Sequence, residues 1–401
     1  MSSKHTEVII VGGGGMGLAA AWRLAKRGHP VRVLERFEFY HARGSSHTEH
    51  RIIRRTYDDE LYAELMPHAY RLWEELEKDS GRKLVYCHGG VELGPLDDPA
   101  LQRIIEISRR LAIPIDLLSP AEATRRFPQF RLPSNFVMVY CGLNGFLAVD
   151  DCVRAQGEQA SRHGAMLQDK EAVLSIRPLE RGAEVISSRA AYTCDKLILT
   201  AGPYAKGLLS QLGLVVPYTI EVNQSQWFAV DPPQSFSPER FPVFVYRNER
   251  DAMGGVYGFP TFRNPGIKIG IHHSNHFIEV EEYDMLPHRD TLDRVRDWVR
   301  VFINGASEKV LNVVPCLYDF PPDEHFVISL HPRHPDIAMA NMAGHGFKFA
   351  PLVGEILAQL VTLGSTEYDL TGFGVERFFS AHAARRAPIH VSPARPVNKE
   401  K

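Results

Sequence analysis

The fold of this chain is decided by the stretch Glu7-Val8-Ile9-Ile10-Val11-Gly12-Gly13-Gly14-Gly15-Met16-Gly17. Four β-branched residues in a row before Gly12 predict a buried strand that ends in a tight turn. A helical pattern over residues 16–26 and a second β-branched run at residues 31–34 complete a strand–helix–strand unit. The spacing Gly12-x-Gly14-x-x-Gly17 inside such a unit is typical of a dinucleotide-binding turn.

Each glycine of this turn has its own physical task. Gly12 permits the turn, Gly14 lets backbone N–H groups approach a pyrophosphate, and Gly17 lets the helix pack closely on the strand. Glu35 ends the second strand, where it is placed to accept hydrogen bonds from the ribose hydroxyls of an adenosine. The alternative is a glycine-rich turn without a ligand, but strand, helix and acid together favour the nucleotide site.

Composition argues against several classes of partner. The 401 residues carry a formal net charge of -2, which gives no reason to expect binding to nucleic acid or to an anionic membrane. No apolar run approaches ~18 residues, and the first residues lack the apolar core of a secretory signal. Residues 397–401 contain no peroxisomal targeting tripeptide. We therefore expect a cytoplasmic protein without a membrane-spanning helix.

The cysteines indicate neither disulfides nor zinc. There are five of them, an odd number, and no pair has CxxC spacing. We predict no metal site, and we predict that every cysteine except Cys316 is a small core residue. The other four are Cys87, Cys141, Cys152 and Cys194.

The order of the predicted elements indicates an α/β fold with two domains. Strand and helix patterns alternate at both ends of the chain, whereas residues 217–270 are aromatic and proline-rich, with strand-like pieces. Ser119 and Glu122 predict a capping box, and Asp150 is the predicted N-cap of a helix over residues 150–163. We predict a Rossmann-like nucleotide-binding domain (residues 1–84, 148–216 and 322–401) with an inserted, sheet-rich α+β substrate domain (residues 85–147 and 217–321).

Five further motifs follow in order along the chain. They are Gly44-Ser45-Ser46-His47 with Arg51-Ile52-Ile53-Arg54, then Tyr257-Gly258-Phe259-Pro260, Lys268-Ile269-Gly270-Ile271-His272, Cys316-Leu317-Tyr318 and Gly344-His345-Gly346-Phe347-Lys348. Together with the first turn they resemble, nearly end to end, the monomeric sarcosine oxidase and N-methyltryptophan oxidase family of D-amino-acid-oxidase-like FAD oxidoreductases. The resemblance implies that the nucleotide is FAD. It also implies oxidation of a secondary amino acid at its C–N bond to an imine that hydrolyses, with oxygen reduced to hydrogen peroxide.

The resemblance also implies roles for individual residues. The positions matching Arg54 and Lys348 bind the substrate carboxylate, and a guanidinium with an ammonium group is a suitable clamp for an anion. Tyr257 and Tyr318 match aromatic positions of the substrate pocket. Lys268 matches a position that activates oxygen, because a fixed positive charge stabilises superoxide. The alternatives are a surface ion pair for Arg54, core tyrosines, and a solvent-facing lysine on an edge strand.

The remaining implied residues belong to the flavin. His47, Arg51 and His272 match positions near the flavin ring, and we expect them to tune its charge. Cys316 matches a cysteine that forms a thioether to the flavin; the alternative is an ordinary buried cysteine. The other implied cofactor positions are Ser45, Gly344, Gly346 and Lys348, where small residues and backbone N–H groups face the negative charge of the reduced ring.

Departures from the family pattern concern the substrate. The stretch before Tyr257 is a few residues longer than the pattern and carries Arg247 and Arg250, while Arg55, Arg263 and His273 add positive charge nearby. We hypothesise a substrate with a second carboxylate, such as iminodiacetate or another N-carboxyalkyl amino acid; solvated loop cations are the alternative. Asn341 stands where the flavin fold usually has glycine, and the sequence assigns it no function.

Two other functions stay open at this point. A dehydrogenase that passes electrons to a quinone or a protein would use the same amine site, and a non-catalytic flavin or nucleotide sensor would need only the nucleotide turn. The cations Arg54, Lys268 and Lys348 argue against the sensor. The expected partners are a small amino acid and oxygen, and we expect a monomer.

Overall fold

A computed structural model gives the structure of the protein and describes residues 4–379. The targeting prediction for residues 397–401, and the end of the predicted segment 322–401, lie outside the described residues. The described strands are β1 (Lys4–Val11), β2 (Val31–Leu34), β3 (His50–Ile53), β4 (Val85–Tyr86), β5 (Gly90–Pro95), β6 (Asp116–Leu118), β7 (Phe136–Cys141), β8 (Gly145–Ala148), β9 (Met166–Gln168), β10 (Val173–Pro178), β11 (Ala183–Ser187), β12 (Ala191–Leu199), β13 (Thr219–Val230), β14 (Val243–Tyr246), β15 (Val256–Phe259), β16 (Ile267–Ile271), β17 (Phe277–Ile278), β18 (Ala306–Phe320), β19 (Val327–His331) and β20 (His334–Asn341). The described helices are α1 (Gly15–Lys26), α2 (Glu60–Ser80), α3 (Pro99–Arg110), α4 (Pro120–Arg126), α5 (Val149–Arg162), α6 (Ala205–Gln211), α7 (Arg289–Phe302) and α8 (Ala350–Leu363).

The first sheet has a parallel centre. Its order β9-β2-β1-β12-β20 is parallel throughout, and β11, β10 and β19 join by antiparallel pairing. The apolar run at Val8 to Val11 is buried because β1 lies in the middle of this sheet. Helix α1 packs so closely against α8 that a side chain at Gly354 would overlap the backbone of Ala19. This half of the fold is the predicted Rossmann-like α/β arrangement.

The second sheet is mostly antiparallel. Its order is β17-β13-β16-β15-β14-β5-β7-β6, with β18 paired along the other edge of β13, and only β14 and β5 pair in parallel. All its strands come from the segments predicted for the substrate domain, and all strands of the first sheet come from the nucleotide segments. A small third sheet, β3-β8-β4, draws on both. The division into two domains remains a prediction.

Most local predictions are confirmed, and two are wrong. The capping box of Ser119 and Glu122 begins α4 as predicted. Helix α5 begins at Val149 after Ala148, so Asp150 lies inside the first turn and is not the N-cap. Cys87 is exposed because it follows the short β4 in a loop, whereas the other four cysteines are buried. Among the described residues, none of the helices is long and apolar enough to cross a membrane.

Candidate functional site

A cleft of about 2430 Å³ runs from the carboxyl end of β1 to the face of the second sheet. Pockets for small molecules are usually roughly 300–1,000 Å³, so this cleft has room for a dinucleotide and a small substrate together. It also lies where ligands bind in open α/β sheets, outside the carboxyl ends of parallel strands.

The first wall of the cleft is the glycine turn. Gly12 has a φ of 102° and its N–H donates to the carbonyl oxygen of Leu34 at 2.9 Å. A Cβ on Gly17 would lie 1.9 Å from the carbonyl oxygen of Gly12, so the helix could not approach the strand with any other residue. A Cβ on Gly14 would meet protein no closer than Ser46 Oγ at 3.5 Å. Gly14 therefore keeps free a space that the protein does not fill, which fits a pyrophosphate.

Glu35 is buried beside this turn. Its Oε2 accepts from the N–H of Gly13 at 2.7 Å, its Oε1 accepts from the N–H of Phe37 at 2.9 Å, and His41 Nε2 lies 3.3 Å from Oε1. Burial opposes ionisation, but the hydrogen bonds from His41 and the two N–H groups hold the pKa of Glu35 below its usual range. Glu35 is thus a charged acceptor at the cleft wall, as an adenosine ribose would require.

The opposite wall is the turn before α8. Gly344 has a φ of 68°, and a Cβ there would lie 2.6 Å from the ring of Tyr318. Asn341, which ends β20, donates its amide to the carboxylate of Asp319 and accepts from the N–H of Ala343 at 3.3 Å. The unexplained Asn341 therefore fixes the start of the Gly344–Lys348 turn. Asp319 is buried, which raises its pKa to about 7 although the Asn341 amide and the Gly344 N–H act against the shift.

Arg51 and Ser45 hold the loop between β2 and β3. Arg51 donates to Thr48 Oγ1 at 2.7 Å and to the carbonyl oxygens of His50 and Ser45 at 3.0 and 3.1 Å. Ser45 donates to the carbonyl oxygen of Leu317 at 2.5 Å, which ties the loop to β18. Both residues line the cleft.

Lys268 lies behind that loop. It is fully buried in β16, where its Nζ donates to Thr48 Oγ1 at 3.0 Å and to the carbonyl oxygen of His50 at 2.9 Å. Its ammonium also faces the rings of Phe259 and Trp227. Burial, and then the positive charge of Arg51, lowers the pKa of Lys268 well below its usual range. The alternative of a solvent-facing lysine is therefore wrong.

His47 and Cys316 share this buried layer. Burial and the charges of Arg51 and Lys268 lower the pKa of His47 to about 3, so its imidazole is neutral. Burial raises the pKa of the Cys316 thiol, while Arg51 and Lys268 pull it down. Neither residue lines the cleft, nor does Lys268 or Gly17, whereas the other predicted catalytic, substrate-binding and cofactor-binding residues do.

Arg54 has a carboxylate partner that the sequence did not reveal. Its Nη1 donates to Oε1 of Glu92, and its guanidinium lies 4.5 Å from the ring centroid of Tyr57. Glu92 is 1% exposed, and its Oε2 accepts from Nε of Arg247 at 2.9 Å. Burial opposes the charge of Arg54, but Glu92 raises its pKa. Both arginines line the cleft.

Lys348 lies in the same corner. Its Nζ donates to the carbonyl oxygen of His345 at 2.6 Å and lies 5.6 Å from the ring centroid of Tyr57. Burial, followed by the charge of Arg54, lowers the pKa of Lys348 well below its usual range, while Glu92 acts in the other direction. An anion bound beside Lys348 would therefore favour its charged form.

The two tyrosines meet in the cleft. The hydroxyl oxygens of Tyr257 and Tyr318 are 3.3 Å apart. Gly270 leaves room for Tyr257, since a Cβ there would lie 2.6 Å from the Tyr257 hydroxyl. His272 follows β16 and lies beside Tyr318, with ring centroids 5.6 Å apart. His272 thus faces the cleft, whereas Lys268, four residues earlier, is covered.

The other predicted cations are dispersed. Arg250 pairs with Asp97 on the surface, and Arg263 pairs with Asp151. His273 lies between Glu221 and Glu324, and Arg55 donates its backbone N–H to Asn144. His272, His273 and Glu324 bring three potential metal-ligand atoms within 4.8 Å, as do His276, His288 and Asp290. Among the arginines of the extra stretch, only Arg247 joins Arg54.

Known proteins share this architecture. Residues 7–360 match the family DAO, FAD dependent oxidoreductase. The chain is 34% identical to a monomeric sarcosine oxidase of Streptomyces avermitilis, over 95% of this chain and 100% of that protein. It is 28% identical to an N-methyl-L-tryptophan oxidase of Yersinia pestis, over 93% of this chain and 99% of that protein. The solved structure of NikD, an unusual amino acid oxidase essential for nikkomycin biosynthesis, superposes with a TM-score of 0.83 at 26% identity, covering 93% of this chain and 98% of NikD.

Proposed function

The chain belongs to the FAD dependent oxidoreductase family and is an FAD-dependent amine oxidase, and we propose that its substrates are secondary amino acids with an N-alkyl or N-carboxyalkyl group. The C–N bond is oxidised to an imine, water hydrolyses the imine, and oxygen is reduced to hydrogen peroxide. The observation that carries this proposal is the convergence of Arg54 and Lys348 with the Tyr257–Tyr318 pair in one cleft. Relatives named for sarcosine and N-methyl-L-tryptophan oxidation support it.

The carboxylate of the substrate binds between Arg54 and Lys348. Glu92 engages Nη1 of Arg54, and no hydrogen bond within residues 4–379 engages its Nε or Nη2. These nitrogens and the Lys348 ammonium give charge-assisted hydrogen bonds, which hold the neighbouring carbon in place. The hydroxyls of Tyr257 and Tyr318 orient the neutral amine nitrogen.

The cofactor supplies the redox step. When bound, FAD accepts two electrons from the substrate C–N bond and passes them to oxygen. Gly12, Gly14, Gly17 and Glu35 would hold its nucleotide part, and the Gly344–Lys348 turn would face its ring. Lys268 lies behind Thr48 and His50, where a developing superoxide would favour the charged form of the lysine and be stabilised by it. Arg51 adds a positive charge to the same layer, in which His47 is neutral.

We also propose a thioether between Cys316 and a ring methyl group of FAD. Its formation would replace the S–H bond and one C–H bond by a C–S bond, and the two electrons released would pass to oxygen, the acceptor of the proposed reaction. Arg51 and Lys268 both favour the thiolate of Cys316, which is the reactive form. Burial acts against the thiolate, so the bond would form only with the cofactor seated. We further propose that the chain acts as a monomer, as the name of its Streptomyces relative indicates.

Anaerobic titration of the purified yellow protein tests the function. Sarcosine, pipecolate and iminodiacetate are added separately, and air is then admitted with detection of peroxide. We expect bleaching by at least one amine, followed by fast recolouring and peroxide. Bleaching with slow recolouring in air would indicate a dehydrogenase, and no bleaching by any of the three would contradict the proposal. Arg54→Met should lose the reaction, while the surface variant Arg263→Met should keep it.

A further inference from the structure

Glu92 is a buried acid in an apolar strand. It lies in β5 between Val91 and Leu93, and it is 1% exposed. An isolated buried carboxylate is costly, so its partners are essential to the local structure. They are Arg54 on one oxygen and Arg247 on the other, with Thr56 Oγ1 at 3.4 Å from Oε1. One carboxylate therefore joins two guanidinium groups.

Arg247 is fixed by both its backbone and its side chain. Its N–H donates to the carbonyl oxygen of Leu93 at 2.8 Å, directly beside Glu92. The side chain uses only Nε in the ion pair, and its Nη2 is buried without a partner among the described residues. A buried donor without an acceptor costs roughly 1–3 kcal/mol. The Arg247 side chain also lines the cleft and is 19% exposed, so its guanidinium can meet an acceptor that the protein itself does not supply.

The charges of this corner favour an added anion. Arg54, Arg247 and Lys348 lie around Glu92, and Arg51 is a further positive charge that acts on Lys348. Asp58 is a second acid in this corner: burial opposes its ionisation, but Arg247 and Arg54 hold its pKa below the usual range. Arg54 and Arg247 both lower the pKa of Lys348. The basic side chains of this corner thus outnumber the acids Glu92 and Asp58, and a bound anion would offset the excess positive charge.

We infer that Arg247 forms a second anion subsite, positioned by Glu92, which selects amino acids whose N-substituent carries a carboxylate. This inference rests on the proposed function. Two hydrogen bonds that meet on one carboxylate place their donor nitrogens roughly 5–7 Å apart, so the two guanidinium groups are close enough for a compact dicarboxylate to reach both. The α-carboxylate occupies the Arg54 and Lys348 side, and the distal carboxylate occupies Arg247. A methyl substituent leaves the Arg247 donor unpaired.

A binding experiment separates this inference from the catalytic proposal. Oxydiacetate and methoxyacetate have an ether oxygen in place of the amine nitrogen, so neither can be oxidised to an imine. They differ in the second carboxylate, as iminodiacetate differs from sarcosine. Flavin absorbance titrations should show that oxydiacetate binds the wild type roughly tenfold or more tighter, the usual value of a charge-assisted contact. Equal affinities would overturn the subsite whether or not any amine is oxidised.

Variants locate the effect at Arg247. Arg247→Met should abolish the preference for oxydiacetate, and it should raise KM for iminodiacetate roughly tenfold or more above any change in KM for sarcosine. Glu92→Gln should weaken the same preference because the guanidinium loses its anchor. Arg250→Gln is the matched control, because Arg250 is on the same loop but is exposed and paired with Asp97. This variant should bind both ligands with the wild-type affinities.

Folding failure would not hide the answer. Arg247→Lys keeps the charge but cannot keep the Nε bond to Glu92, and thermal melting shows whether each variant is folded. A folded Arg247→Met that retains the wild-type ratio of the two affinities would overturn the inference, and a folded Arg247→Lys should lower that ratio less than Arg247→Met does. If no amine is oxidised by the wild type, the proposed function fails, and the titrations still decide the subsite.

Discussion

Replacement of Asp319 by Asn should stabilise the protein at alkaline pH. Asp319 is 5% exposed at the end of β18, and burial raises its pKa from an ordinary 3.8 to about 7 against the hydrogen bonds from Asn341 and Gly344. The folded protein therefore keeps a proton that the unfolded chain releases between pH 3.8 and 7. Stability falls as pH rises through that window, and the full shift corresponds to about 4 kcal/mol above pH 7. Asn has the same shape and stays neutral.

Urea unfolding followed by tryptophan fluorescence at pH 5 and pH 8 measures this effect. At pH 5 the wild type has lost only part of the stability that protonated Asp319 contributes. The gain in free energy of unfolding from Asp319→Asn should therefore be about 3 kcal/mol larger at pH 8 than at pH 5. Asp323→Asn is the control with the opposite sign. Burial raises the pKa of Asp323, but its ion pair with Arg377 brings the net pKa below the usual range, so loss of that carboxylate destabilises. If the free energies of unfolding of wild type and Asp319→Asn differ by the same amount at both pH values, the reasoning is refuted.

Three further predictions concern the buried layer and the cleft mouth. Cys316→Ser should release its flavin into the supernatant after acid precipitation, whereas wild type should remain yellow in the pellet. Lys268→Met should be reduced by substrate normally but reoxidised by oxygen at least roughly a hundredfold more slowly in stopped flow, since a buried charge contributes several kcal/mol. For His273, burial is outweighed by Glu221 and Glu324, which raise its pKa to about 9. The stabilisation from this raised pKa is complete below pH 6.5 and is lost as pH rises through 9. A plot of Tm against pH should therefore fall less steeply between pH 6.5 and 9 for His273→Gln than for wild type.

The parts of the fold that local sequence decides were predictable. The strand β1, the glycine turn and α1 are fixed by residues a few positions apart, and so is the capping box that begins α4. The exposure of Cys87 and the start of α5 were not predictable from local sequence. Both depend on the positions of β4 and β8, which are set by pairing with other strands. Helices α3 and α7 were not predicted either.

The ion pairs of the site depend on contacts between distant residues. Glu92 lies 38 positions from Arg54 and 155 from Arg247, and Asp319 lies 22 positions from Asn341. No periodicity links such pairs. One signal was available, because Glu92 interrupts the apolar run Gly90–Pro95 in the way that Lys268 interrupts its own strand. A buried charge in an apolar strand needs a partner, which marks Glu92 as a site residue.

Glu92 changes what the resemblance means for Arg54. An arginine that binds only the substrate would be free to turn toward it, whereas this guanidinium is held by a carboxylate that also anchors Arg247 and is 1% exposed. Displacing Glu92 would leave a buried acid unpaired, so the substrate must use the nitrogens that Glu92 leaves open. The cost of orienting Arg54 is then met in the folded protein before binding, which is the condition for tight positioning of the reacting carbon. Glu92 should therefore affect the geometry of every substrate and, through Arg247, the choice among them.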